Sequence, residues 1–138
     1  MNISKNMRNK IIAEIEHVIS SMQKNNDPFK KLYFFSGIHG ILNRVFNIEY
    51  DSELVYIHHV VFAVHSGFVA RMDAIRKGET AIFLDESYFE KLTALSITLK
   101  DKIAQDEDVN DTLKDFIILL YTTTGNGYYL KDKNVIKT

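Results

Sequence analysis

Histidine is the residue type in this chain best suited to chemistry. Three of the five histidines, His58, His59 and His65, fall in one stretch, LVYIHHVVFAVHSGFVA, running from Leu54 to Ala70. That stretch holds no Asp, Glu, Lys or Arg. A neutral imidazole can move a proton near pH 7 or ligate a metal. His58 and His65 are seven residues apart, about 10.5 Å along a helix at about 1.5 Å per residue. Both cannot easily reach one ion at about 2 Å. His58 and His59 point in different directions and do not chelate as a pair. A second helix can complete a site. If the preceding helix folds back about residue 50, His39 comes level with residue 61, close to both His58 and His65. If the first helix folds back about residue 27, Glu14 comes level with residue 40. Glu14, His39, His58 and His65 are therefore the candidate ligand-binding set at mid-bundle, the depth at which helical bundles build polar sites.

The blander reading makes His58 and His65 core or interface residues with hydrogen-bond partners. Only one Glu-x-x-His is present, Glu14 to His17, where a di-metal bundle site uses two. His17 falls opposite the apolar seam of its helix and is expected in solvent. No metal, cofactor or catalytic residue is assigned. Tyr56 and Tyr121 would serve as general acids only in a cleft. Arg71, Asp73 and Arg76 would grip an anion or, more simply, form a solvated ion-pair face. The sequence contains no GxxxxGK[ST], GxGxxG or HExxH.

The elements that must position these residues read as helices. In the central stretch Leu54, Ile57, Val61, Val64, Phe68, Met72 and Ile75 recur at three- and four-residue spacing, the helical core pattern. Val55, Phe62 and Val69 widen that face, so the helix is expected to have neighbours on more than one side. Helices are predicted over about 4–24, 28–48, 52–77, 86–104 and 109–124, with a tail at 125–138. The first has a seam of Met7, Ile11, Ile15, Val18 and Met22. The second is rich in aromatics, and carries Gly37 and Gly40, each costing roughly 1 kcal/mol against Ala. Close approach of another helix would repay that cost, and so would a ligand cleft. Asp27 before Pro28 reads as a helix start. Asp51 or Ser52 starts the central helix, Asp85 or Ser87 the fourth and Asp108 the fifth. Arg76, Lys77 and Gly78 form a helix end. The apolar connector Ala81–Leu84 is expected to be pinned to the bundle. Gly125, Asn126 and Gly127 would end the last helix, and Tyr128, Tyr129 and Leu130 would pack on the bundle or on another subunit.

The 138 residues suit one domain with a real core. They include 46% hydrophobic and 25% charged residues, one proline and six glycines, and show no linker or repeat. The fold class read from this is all-α: an up-and-down four-helix bundle with an additional helix. A formal net charge of −1 gives no electrostatic case for nucleic acid. The absence of cysteine removes thiol catalysis, zinc–thiolate sites and disulfides. The opening MNISKNMRNK has no apolar run behind its charges, unlike a secretory signal. Leu54 to Ala70 approaches membrane length, but its three histidines suit a buried helix of a soluble, cytoplasmic protein better.

The helix order, with HHVVFAVHSGFVARMDAIRKG as its most distinctive stretch, resembles small archaeal helical-bundle proteins. Those are similar in fold to cobalamin adenosyltransferases, which are trimeric. That family carries a Gly- and Thr-rich N-terminal nucleotide loop and an Arg- and Glu-rich helix motif. Here no glycine precedes Gly37, and the four arginines, Arg8, Arg44, Arg71 and Arg76, form no such cluster. The resemblance therefore implies fold and assembly, and transfers no catalytic residue. The function expected is a self-associating binding or structural module, a dimer or trimer. The alternative is a small-molecule or metal-dependent enzyme using the mid-bundle histidines.

Overall fold

The computed structural model describes residues 1–124; the readings made on Gly125–Gly127 and on Tyr128, Tyr129 and Leu130 lie outside them. Five helices account for the fold: α1 Lys5–Lys24, α2 Pro28–Val45, α3 Ser52–Arg76, α4 Glu86–Ala104 and α5 Asn110–Tyr121. An isolated bridge between Ile82 and Thr124 is the one extended pairing among the described residues. The protein is all-α.

Side chains set most of the boundaries. Ser4, Asp27, Asp51 and Asp85 each accept a backbone N–H in the first turn of α1 to α4, which satisfies a donor that the helix itself leaves open. Pro28 sits at the start of α2, where its missing N–H costs nothing. Gly78, with φ of 88°, follows α3 in the left-handed conformation that glycine adopts without strain. Val109 is the residue before α5 and supplies no side-chain cap. Asp108, just upstream, accepts from the Asn110 N–H at 2.9 Å. Helix α2 stops at Val45 and α5 at Tyr121, each three residues short of the sequence reading. Beyond Tyr121 the hydroxyls of Thr122 and Thr123 bond back to the Leu119 and Leu120 carbonyls.

The helices close into a ring in the order α1, α2, α3, α5, α4 and back to α1. Helix α5 is thus no appendage: it separates the backbones of α3 and α4. The core runs through the middle, with Phe35, Phe68 and Phe116 its largest fully buried side chains. Phe35 and Phe116 rings lie 6.0 Å apart, and Phe68 meets Phe89 of α4 at 5.9 Å. Ser96 and Thr93 are buried but bond to the Leu92 and Phe89 carbonyls one turn back, so neither hydroxyl is left unpaired.

Two glycines are where neighbouring helices come closest. A Cβ on Gly37 would stand 2.8 Å from Val18 Cγ2, and one on Gly67 would stand 2.7 Å from Leu120 Cδ1. Gly37 therefore admits α1, and Gly67 admits α5. Gly40 differs: a Cβ there would meet only the Arg44 guanidinium, at 3.9 Å. The connector after α3 is pinned by the Phe83 N–H, which donates to the Thr123 carbonyl at 2.7 Å. Arg8 ties α1 to the end of α4, donating to the Ile103 carbonyl at 2.7 Å.

Helix α3 departs from the sequence reading in one respect. Leu54, Ile57, Val60, Val61, Val64, Phe68 and Met72 are buried. Phe62, Val69 and Ile75, expected to face the core, are exposed. With α2 on one side and α5 on the other, no third helix among the described residues covers them. Among the described residues α3 is the one helix long and apolar enough to cross a membrane by length and composition, yet only 33% of its most apolar window is buried.

Candidate functional site

The pairing of α2 with α3 carries the histidines. An antiparallel hairpin turning near residue 50 sets His39 of α2 between His58 and His65 of α3. The His39 ring centre lies 6.0 Å from that of His58 and 5.2 Å from that of His65. Phe62, one turn from both, closes over the group at 5.1 Å from His39 and stacks on His58 at 6.0 Å. Phe46 meets His58 at 5.4 Å, and Phe35 backs His65 at 6.4 Å. Three imidazoles thus sit in an aromatic box, half-buried along the outer edge of the α2–α3 seam.

Glu14 does not join them. It is exposed on α1 and faces Arg44, with 3.8 Å between the charged groups. The fold-back about residue 27 does bring α1 alongside α2, but the Glu14 carboxylate lies on the outer side of that pair. His59 is exposed, its ring 5.5 Å from His58. His17 is exposed as expected. Among the described residues no three His, Asp or Glu side chains stand so that they could hold a metal ion. His39 meets His58 edge-on and His65 at a tilt, ring against ring.

Hydrogen bonding separates the three. His39 Nε2 and His58 Nδ1 are buried without a partner. His65 bonds to the Leu32 backbone. Burial pushes the His39 pKa down to about 4, and the neighbouring His65 and His58 add to the shift. Burial lowers His58, with His59 contributing, and lowers His65 against the opposing pull of the Leu32 bond. The cluster is therefore neutral at pH 7. It contributes polar edges and ring surface, not charge.

The surroundings of this cluster carry few charges as well. Tyr33 is 71% exposed, Tyr56 51% and Phe62 49%. Phe29 and Val69 extend the apolar surface toward the end of α3. There the Arg76 guanidinium covers the Phe29 ring at 4.9 Å and approaches Asp73 at 3.7 Å. A shallow cleft of about 230 Å³ between Tyr33, His65 and Val69 continues past this pair into one of about 450 Å³ lined by Met72, Ile75, Leu84 and Phe89. Arg71 turns back onto its own helix, donating to the Gly67 carbonyl at 3.1 Å. Tyr56 and Tyr121 are both exposed, outside any cleft deep enough to shield proton transfer.

Sequence reasoning missed the exposure of Phe62, Val69 and Tyr33. The signal was present in the second helix: from Pro28 to Ile48 it has no acidic residue, so the partner of α3 brings no carboxylate to their shared surface. No known protein family, curated protein or solved structure matches the chain.

Proposed function

We propose that this protein acts as a self-associating helical module and that its outer α2–α3 face is the surface through which copies meet. The observation carrying this reading is the uncharged, aromatic outer face of α3, which the described residues leave uncovered. Contiguous exposed apolar surface of this kind marks interaction sites. Tyr and Phe are favoured at the centre of such sites, and Lys and Glu are depleted there. A cytoplasmic location goes with this reading, since α3 then faces a second copy rather than lipid. So does a non-catalytic role, with the imidazoles serving as interface rings. The trimer implied by the resemblance to adenosyltransferase-like bundles is the competing stoichiometry.

Native mass spectrometry of protein purified without a metal-affinity step tests this reading. The expected result is a ligand-free homodimer that becomes a folded monomer on Phe62→Arg. A wild-type monomer at high concentration would overturn it. A second reading is favoured by the two unpartnered nitrogens, His39 Nε2 and His58 Nδ1. It makes the aromatic box a binding site for a small planar molecule with one donor and one acceptor. That reading predicts a retained ligand at one per chain, lost in His39→Ala.

A further inference from the structure

We infer that two copies of this chain pair α3 against α3 in antiparallel sense, with the two-fold axis falling between Val64 and His65. This rests on the self-association proposed above and specifies its geometry. The residues of α3 turned fully outward are Ser52, Tyr56, His59, Ala63, Ser66, Ala70 and Asp73, all exposed. They recur at alternating four- and three-residue spacing and so lie along one line of the helix, a line of small, polar and aromatic side chains. The flanks of this seam are already occupied, by α2 beyond Phe62 and Val69 and by α5 beyond Gly67. A partner helix therefore has one line along which to lie.

The side chains along that line are complementary to themselves in reverse order. Antiparallel pairing about the proposed axis sets Ala63 against Ser66 of the second copy, so the axes approach most closely at the centre. It sets His59 against Ala70, a large ring against a methyl group. It sets Tyr56 against Asp73, a phenol donor against a carboxylate. Ser52 then faces Lys77, a hydroxyl acceptor against an ammonium donor. Opposed helix dipoles favour the same sense. A parallel pairing would instead set Tyr56 on Tyr56, His59 on His59 and Asp73 on Asp73.

The extent suits a stable dimer. From Ser52 to Lys77 the seam runs about 37 Å at about 1.5 Å per residue. A band about 20 Å wide, α3 with the near halves of its neighbours, covers roughly 700 Å² per copy, close to the ~800 Å² of a standard interface.

The absence of cysteine from the chain makes the test direct. His59→Cys and Ala70→Cys are prepared separately, and each alteration lies on an exposed position. Each variant is oxidised with diamide, alone and after mixing by dilution and reassociation. Far-ultraviolet circular dichroism confirms that each is folded. The expected result is a disulfide-linked dimer in the mixture at least tenfold above that of either variant alone. Strong cross-linking of either variant by itself would overturn the antiparallel register. So would a mixture that stays uncross-linked, or a trimer, while wild-type protein sediments as an oligomer; in either case self-association would stand. Wild-type protein that sediments as a monomer would remove both proposals.

Discussion

Helices α3 and α4 occupy similar places in the ring and differ on the side turned away from it. Helix α3 has two helical neighbours, α2 and α5, and α4 has α1 and α5 with a smaller contact to α2. Each buries seven residues. Outside, α4 presents Glu86, Glu90, Lys91, Asp101 and Lys102, as a solvated helix face does. Outside, α3 presents Tyr56, His59, Phe62, Ala63, Ser66, Val69 and Ala70, with no charge between Glu53 and Arg71. Intrachain packing therefore accounts for the composition of α4 and leaves that of α3 in excess. That excess, seen among the described residues, is the observation on which the proposed self-association rests.

The largest effects should come from the faces the two helices share with the core. Phe68→Ala removes a fully buried ring that meets Phe89 of α4. It should cost about 3–5 kcal/mol in denaturant unfolding, independent of protein concentration. Phe62→Ala removes a half-exposed ring packed on His39 and His58, and should cost less than Phe68→Ala at low protein concentration and more as concentration rises and self-association contributes. Equal losses from both substitutions at all concentrations would erase the distinction between the faces.

Acid should act on the α2–α3 side selectively. His39 has a folded-state pKa of about 4, below the ordinary value of 6.5. As pH falls from about 6.5 toward 4, the unfolded chain takes up a proton that the folded chain refuses, so stability declines across that window. Unfolding curves between pH 4 and 7.5 should show a shallower decline in His39→Gln. An unchanged slope would mean that His39 is as solvated folded as unfolded.

Glycines give a smaller contrast within α2. Gly37→Ala forces a methyl group against Val18 and should destabilise by about 1–2 kcal/mol despite its better helix propensity. Gly40→Ala has room and should stabilise by up to about 1 kcal/mol. Smallest of all, Glu90→Ala and Lys91→Ala on α4 should change stability by less than about 0.5 kcal/mol and leave the oligomeric state as it is.

Much of this architecture was readable from local signals. Ser4, Asp27–Pro28, Asp51, Asp85 and Arg76–Lys77–Gly78 mark helix ends by chemistry that acts within a turn. Periodicity found the core side of α1 for the same reason. His39 reached His58 and His65 because the short turn after Phe46 fixes the register of a hairpin. Glu14 failed because register gives depth along a helix, not the direction of a side chain around it. Phe62, Val69 and Ile75 were misplaced because an apolar residue looks the same whether a helix of the same chain covers it or nothing does. The hydrogen-bond partners expected for His58 were not found at Nδ1, since polar satisfaction depends on groups far away in sequence.

The most direct test places one charge on each of the two outer faces. Ala63 of α3 and Ala94 of α4 are both exposed alanines in helix interiors, so Ala→Glu costs little helix propensity at either. Sedimentation velocity at matched concentrations compares wild type, Ala63→Glu and Ala94→Glu, with thermal melts to confirm folding. The account predicts a dimer for wild type and Ala94→Glu and a folded monomer for Ala63→Glu. A dimer that survives Ala63→Glu, or a wild-type chain that sediments as a monomer, would contradict it.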